Sequence, residues 1–95
     1  MSPDIVIDVT FFTHAEGGRH SAIEGEFYAC PLFIDGEGFD CRLLLGGRQL
    51  RLGLNYEVPV KFMNRDLVIS KISIGTKIFL WEGRKIAEGT IKSIL

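Results

Sequence analysis

The feature of this sequence that most restricts its fold is a hydrophobic period of two residues. Near the start of the chain, every second side chain is large and apolar, at Ile5, Ile7, Val9 and Phe11. The clearest repeat is in residues 56–62, with apolar side chains at Tyr56, Val58, Val60 and Phe62. Successive side chains of a β-strand point to opposite faces, so this period predicts strands with one buried face. We expect Val58, Val60 and Phe62 to point inward. Pro59 should mark an edge or a bulge, because proline cannot donate a ladder hydrogen bond.

The rest of the chain carries the same signal in shorter pieces separated by glycine-rich breaks. We predict further strands at residues 27–34, 39–45, 67–72, 77–81 and 85–95. No segment shows the amphipathic period and the caps of a helix. Six or seven short strands with glycines at most breaks are typical of an antiparallel sandwich or barrel. We therefore predict an all-β fold, a barrel or a sandwich. Closure into a barrel would have the advantage of leaving no unpaired sheet edge in so small and apolar a chain.

The length and composition fit one small domain that spans residues 1–95. A chain of 95 residues with 46% apolar and 24% charged side chains is typical of a single globular domain. Its formal net charge of −1 excludes a strongly basic nucleic-acid-binding protein, although it is compatible with a local basic patch. No apolar stretch is long enough to span a bilayer, and residues 1–4 lack the character of a signal peptide. We therefore expect a soluble, cytoplasmic protein without a membrane partner.

The two cysteines, Cys30 and Cys41, flank a predicted hairpin whose turn is residues 35–38. With that turn at the centre, Cys41 lies opposite a residue near Leu32, and Cys30 is its diagonal neighbour. Two cysteines without a C-x-x-C spacing form neither a zinc motif nor a redox motif, so we expect buried free thiols.

Residue types used in catalysis occur in the chain, but not in the patterns that catalysis requires. His14, Glu16 and His20 give the spacing H-x-E-x3-H, which matches no established metal-binding pattern. Ser21 follows His20 directly, and adjacent residues of a strand point to opposite faces. These two residues therefore do not form a nucleophile and its base.

Two further enzymatic signatures are weak or missing. Glu24 and Glu26 would share one face of an extended segment, but paired surface acids are far commoner than catalytic dyads. The phosphate-binding sequence G-x-x-x-x-G-K-[ST] does not occur, so GTP hydrolysis by that route is not expected. We expect no enzymatic activity, no cofactor and no metal.

The loop after the first strand is the most distinctive candidate for binding. Gly17 and Gly18 permit a tight turn that leaves backbone N–H groups uncovered, and Arg19 and His20 follow directly. Such a turn predicts a site for an anion such as a phosphate group. Four arginines lie in or beside predicted turns, and turns at one end of a barrel can bring such residues together into a basic patch: Arg19, Arg48, Arg51 and Arg84. A solvated loop and an ordinary polar surface are the alternatives.

Aromatic side chains near residue 80 form a second candidate surface. Phe79 and Trp81 share one face of their predicted strand, and Ile78 and Leu80 share the other. One pair faces the core, and the other is either a partner surface or a packed second layer.

Two segments of the chain resemble the C-terminal β-barrel domain of elongation factor Tu, also called domain three. Residues 16–21, E-G-G-R-H-S, are similar to the E-G-G-R-H-T loop that follows the first barrel strand in that family. Residues 79–91 are similar to the closing hairpin of the family, with one glycine fewer. The resemblance implies a closed six-stranded antiparallel barrel, in agreement with the hydrophobic period.

The resemblance also implies a function. In the family, this domain contacts the T-stem backbone of aminoacyl-tRNA and packs against the GTPase domain. Carried over by position, the RNA- or anion-binding residues are Gly17, Gly18, Arg19, His20, Ser21, Arg84 and Gly89. We therefore expect a non-catalytic binding module, with a tRNA or another structured RNA as a weakly bound partner.

A protein-interaction module is the alternative function. Its partner would be a translation-factor-like protein or a second copy of the chain, bound through the surface that packs on the GTPase domain in the family. The 95 residues contain no match to the family's GTPase domain, so tRNA delivery is not expected.

Overall fold

Six strands form the frame of the structure, a computed structural model that describes all 95 residues. They are β1 (Ile5–Phe11), β2 (Phe27–Ile34), β3 (Glu37–Leu44), β4 (Asn55–Phe62), β5 (Lys77–Trp81) and β6 (Lys85–Ile94). All pairings are antiparallel and follow the order β1-β4-β3-β2-β5-β6, and β6 pairs with β1 to close a barrel. The predicted fold class, a small closed antiparallel barrel, is confirmed.

Inward-facing side chains of the strands fill the interior of the barrel. Val58, Val60 and Phe62 are at most 2% exposed, so the predicted inward face of this strand is confirmed. They belong to a single cluster of 22 buried residues. Burying a side chain of this size contributes about 1.5–3 kcal/mol, which makes the cluster the main source of stability. The ladder between β3 and β4 ends at the pair Leu43–Val60, one residue before Pro59, in keeping with the missing N–H of proline.

The prediction of a strand at residues 67–72 is wrong. The segment forms a short helix, α1 (Arg65–Val68), followed by a 3₁₀ turn (Ile69–Lys71). Its less exposed side chains follow the spacing of a helix, at Arg65, Val68, Ile69 and Ile72. This helical spacing was not recognised in the sequence because Leu67 is apolar and was therefore expected to be buried, whereas it is 57% exposed. No helical segment of the structure has the length and the apolar character that crossing a membrane would require.

The β2–β3 hairpin has a tighter turn than predicted, and this changes the position of the cysteines. Asp35 and Gly36 alone form the turn, with positive φ angles of 50° and 79°. Two left-handed residues are typical of a type I′ turn, whose twist matches that of the paired strands. The expected pairing of Cys41 near Leu32 is therefore wrong, and Cys41 lies directly opposite Cys30.

Both cysteines are free and buried, as predicted. The thiol of Cys41 donates a hydrogen bond to the carbonyl oxygen of Cys30, with a distance of 3.3 Å. The contact with Cys30 and the burial of the side chain both raise the pKa of the Cys41 thiol. Because the thiolate is the reactive form, this thiol is inert inside the folded core.

The strand directions sort the connecting segments between two ends of the barrel. The arginine end consists of segments 12–26, 45–54 and 82–84, and it contains all four arginines that the sequence placed near turns. The Asp4 end consists of residues 1–4, 35–36, 63–76 and 95. The four arginines near predicted turns thus lie at the same end of the barrel.

At the Asp4 end, one buried carboxylate joins several parts of the chain. Asp4 is 4% exposed, and its Oδ1 lies 3.2 Å from Nζ of Lys61 and 3.1 Å from Nε of Arg65. Its Oδ2 accepts a hydrogen bond from the backbone N–H of Phe62 at 2.9 Å. The backbone oxygen of Asp4 accepts another from the N–H of Leu95 at 3.0 Å. These contacts fix the start of β1, the end of β4, α1 and the end of β6 to one another.

Candidate functional site

The loop between β1 and β2 folds on itself instead of leaving its glycine amides free. The N–H of Gly17 donates to the carbonyl oxygen of His14 at 3.0 Å, and the N–H of Gly18 donates to that of Thr13 at 2.9 Å. The prediction that these glycine amides are uncovered is therefore wrong. The next three amides, those of Arg19, His20 and Ser21, donate to no other group of the chain.

Glu16 closes this loop at its start. Its carboxylate accepts hydrogen bonds from the backbone N–H and from the hydroxyl of Thr13, both at 2.9 Å. Both hydrogen bonds lower the pKa of Glu16, and the bond from the N–H has the larger effect. Glu16 thus caps a 3₁₀ turn (His14–Glu16). No group of three His, Cys, Asp or Glu side chains in the structure is placed to hold a metal ion.

Arg19 is held by an ion pair and by an aromatic ring of the protein itself. Its Nη1 lies 2.8 Å from Oε2 of Glu82 and 3.2 Å from the hydroxyl oxygen of Tyr28. Its Nε donates to the carbonyl oxygen of Ser21 at 3.3 Å. The guanidinium carbon also lies over the ring of Tyr28, 5.3 Å from its centroid. Arg19 therefore fastens the loop to the β5–β6 turn, and a phosphate would have to compete with Glu82 for it.

Arg84 reaches the same loop from the β5–β6 turn, on the side where the sequence analysis expected it. Its Nη2 donates to the carbonyl oxygen of Gly18 at 2.9 Å, while the residue as a whole is exposed. Gly18 is buried, and a Cβ at this position would overlap the carbonyl oxygen of Phe12. Gly18 is thus needed for the close packing of the loop, which its own N–H and carbonyl groups hold in place.

His14 and His20 stack on each other at the surface of this loop. Their ring centroids are 3.9 Å apart, their planes are tilted by 34°, and both side chains are exposed. Stacked rings do not aim their nitrogen lone pairs at one point, as ligands of one metal ion must. Both rings are instead open to solvent.

Gly89 lies apart from the loop, in the wall of the barrel. It pairs with Val9 of β1 and with Ile78 of β5. A Cβ at this position would overlap the carbonyl oxygen of Asp8, so only glycine allows the two strands to pass this closely. The structure thus brings six of the seven predicted site residues to the arginine end and leaves Gly89 in β6.

The arginine end carries no net charge in spite of its four arginines. Its connecting segments also contain four glutamates, and the sum is zero with neutral histidines: Glu16, Glu24, Glu26 and Glu82. Binding to a nucleic-acid backbone depends on an excess of positive charge that releases counterions. This end of the barrel lacks such an excess.

Three outward-facing rings of β2 and β5 form a second surface, the aromatic face, which consists of Phe33, Phe79 and Trp81. Phe33 and Phe79 stack across the pairing of the two strands, with centroids 4.9 Å apart and planes 6° apart. Trp81 packs against Phe33 at 5.9 Å and is 41% exposed. Ile78 and Leu80 are buried. The sequence left open which pair of β5 faces the core, and the structure shows that it is Ile78 and Leu80.

A groove of about 460 Å³ runs beside the aromatic face. Phe33 and Phe79 form its apolar wall, and its charged lining residues are two cations and two anions, Lys77, Lys85, Asp35 and Glu88. Nζ of Lys85 lies 5.2 Å from the centroid of the Phe79 ring and 3.3 Å from the carboxylate of Glu88. The groove is therefore apolar on one side and electrically balanced on the other.

The outer face of β2 differs from the outer faces of β1 and β4. The outward positions of β2 are all apolar, at Phe27, Ala29, Pro31 and Phe33. Those of β1 and β4 are mostly polar, at Val6, Asp8, Thr10, Asn55, Glu57, Pro59 and Lys61. Phe33 was not recognised from the sequence as part of a surface. The sequence contained the necessary information. Leu32 and Ile34 occupy inward positions of the alternating pattern of β2, so Phe33 between them must point outward.

Neither the protein-family models nor the curated protein sequences gave a match to this chain.

Proposed function

We propose that this barrel is a non-catalytic binding module of the domain-three type of elongation factor Tu, and that it binds a protein through the aromatic face. One observation carries the proposal: three aromatic rings, with Trp81 41% exposed, stand on the outside of a barrel whose opposite strands present mostly polar side chains. Tryptophan and other aromatic residues are enriched in protein interfaces, and tryptophan often dominates their binding energy.

The charges around the aromatic face favour a protein partner over RNA. Bases also stack on exposed aromatic rings, but single-stranded nucleic acids are held in grooves of positive charge. The groove beside the aromatic face carries two cations and two anions, and Lys85 is already paired with Glu88. A protein surface with a small apolar patch meets these conditions without a cost in unpaired charge.

The resemblance of residues 16–21 and 79–91 to domain three supports the same proposal. In that family the barrel packs on the GTPase domain as well as contacting tRNA, and it carries out no chemistry of its own.

The experiment is an affinity capture from native lysate, run with and without nuclease, in which wild type is compared with Trp81→Ser. Leu54→Ser is the matched control, since Leu54 is an apolar residue of similar exposure, 50%, at the arginine end. We expect a captured protein that survives nuclease, is lost with Trp81→Ser and is retained with Leu54→Ser. Capture that disappears with nuclease, or that is indifferent to Trp81→Ser, would contradict the proposal.

With the captured protein in hand, Trp81 offers a direct readout. It is the only tryptophan of the chain. Covering its exposed ring should shift its fluorescence emission to shorter wavelength on titration with the purified partner.

RNA binding at the arginine end is the second candidate function, and one observation favours it. The exposed side chains of His20 and Arg84 adjoin the three amides at residues 19–21 that have no partner within the chain. Amides and cations together are the groups that hold a phosphate.

Fluorescence anisotropy of a labelled RNA hairpin at low salt tests this candidate. His20→Ala and Arg84→Ala should weaken binding, and Lys92→Ala, which removes an exposed cation of β6 toward the Asp4 end, should not. The salt dependence should correspond to roughly two to four phosphate contacts. Equal binding by all variants, or no binding by wild type, would eliminate the candidate.

A further inference from the structure

A third surface lies at the Asp4 end, where Met63 and Leu67 expose large apolar side chains. Met63 is 67% exposed and Leu67 is 57% exposed. The backbone N–H of Met63 donates to the carbonyl oxygen of Asp40 at 3.0 Å, which fixes this residue beside β3. Met63 is therefore a projecting side chain on a firmly held backbone.

Two grooves adjoin this projecting methionine. A groove of about 370 Å³ is lined by Met63 together with outward residues of β2 and β3, among them Ala29, Pro31 and Arg42. A smaller groove of about 200 Å³ is lined by Met63 and Leu67 on its other side, with Phe39 beneath. The same surface thus carries a projecting apolar side chain, Met63, and a groove large enough to hold a side chain of that size.

Asp40 and Arg42 add charges of both signs to this surface. They stand two residues apart on the outer face of β3, and both line the larger groove. Neither forms an ion pair within the chain, because the five salt bridges of the structure involve other residues. The only aromatic ring near the Arg42 guanidinium is that of Phe27, 5.0 Å away.

We infer that this surface binds a second copy of the same chain across a two-fold axis. A two-fold interface places the same surface on both partners, so it must be complementary to itself. Here Met63 of each copy would enter the larger groove of the other, and Asp40 of each copy would meet Arg42 of the other. Methionine and arginine are also among the residues enriched at the centres of protein interfaces.

Sedimentation velocity over a range of protein concentrations tests the inference first on wild type. The weight-average mass should rise with concentration towards twice the monomer mass. Met63→Glu places a carboxylate at the centre of the contact and should keep the chain monomeric at every concentration. Leu54→Glu makes the same chemical change at the opposite end of the barrel, where Leu54 is 50% exposed, and it should dimerise like wild type.

Charge reversal gives the more specific test. Asp40→Arg leaves two cations on the surface and Arg42→Asp leaves two anions, so each variant alone should repel its own copy. An equimolar mixture of the two variants should recover dimers, because each cationic surface then meets an anionic one. Circular dichroism and thermal melting check that both variants are folded before they are mixed.

Three results would overturn the inference. One is a wild-type chain that is monomeric at the highest concentration reached. Another is a mixture of folded charge-reversal variants that stays monomeric. The last is a Leu54→Glu control that loses the dimer, since the contact would then lie at the arginine end.

Discussion

The ion pairs of Asp4 and the ion pair of Arg19, at opposite ends of the barrel, lie in different surroundings. At the Asp4 end, a carboxylate that is 4% exposed meets Lys61 and Arg65, whereas the side chains of Arg19 and Glu82 at the arginine end are 24% and 50% exposed. Water and salt screen the second contact much more than the first. The same kind of contact therefore holds the fold together at one end, and at the other it holds a loop that can be released while the barrel stays folded.

The largest effect is expected for Asp4→Asn, which keeps the shape of the side chain and removes its charge. Breaking a buried ion pair from one side typically costs about 3–5 kcal/mol. Lys61 and Arg65 are more than a third exposed and can turn to water, so we expect a loss in unfolding free energy below this range, about 2–3 kcal/mol. Urea denaturation measures it. A loss no larger than that of Glu82→Gln would refute the contrast between the two ends.

A pair of glycine variants separates packing from backbone strain at the arginine end. In Gly18→Ala the new Cβ would overlap the carbonyl oxygen of Phe12, so we expect a destabilisation of about 2 kcal/mol. Gly17→Ala meets open space but has a φ of 91°, so its cost is that of a left-handed alanine alone, about 1 kcal/mol. When the two variants are melted in parallel, Gly18→Ala should have the lower melting temperature. The reverse order would mean that the loop is not packed as described.

The ion pair between Arg19 and Glu82 should contribute less than either effect. A double-mutant cycle with Arg19→Ala and Glu82→Ala should give a coupling free energy of about 0.5 kcal/mol, as partly exposed pairs do. The coupling should shrink in about 1 M salt, where the screening length is near 3 Å. A coupling that is large and indifferent to salt would show that this pair behaves like the buried contacts of Asp4.

The smallest effect is expected for Glu16, whose pKa is lowered by hydrogen bonds from Thr13. A lowered pKa means that the folded loop favours the carboxylate, so its contribution is complete above the ordinary glutamate pKa of about 4.3. The contribution disappears as the pH falls through the lower value of the folded state. Wild type should therefore lose slightly more stability than Glu16→Gln on acidification in this range. Identical pH profiles for the two proteins would show that the cap contributes nothing.

The barrel was predictable from the sequence because its signal is local. Alternation in residues such as Val58, Val60 and Phe62 follows from burial on one side of a strand, and each strand repeats it. The failures were local as well. Leu67 is apolar but exposed, so it suggested a strand where α1 forms, and the turn at Asp35 and Gly36 was taken to be two residues too long.

The candidate surfaces were only partly predictable, because they depend on contacts between distant parts of the chain. Arg19 and Arg84 were correctly expected on one side of the barrel. The sequence around Arg19 gives no indication that its guanidinium pairs with the carboxylate of Glu82, which is 63 residues away. The ion pairs of Asp4 likewise join residues that are remote in sequence, and no periodic pattern encodes them.

The pairing of β2 with β5 is the shortest in the barrel, with two residue pairs, Leu32–Leu80 and Phe33–Phe79. Segments with few backbone hydrogen bonds open locally at low free energy, so amide hydrogen exchange should begin at this seam. The stack of Phe33 on Phe79 crosses the seam from outside. A protein bound to these rings would hold both strands at once and, by mass action, make the opening rarer. Slower exchange at the Phe33 and Phe79 amides, which face each other across this pairing, would then report that the module is occupied, without any change in its average shape.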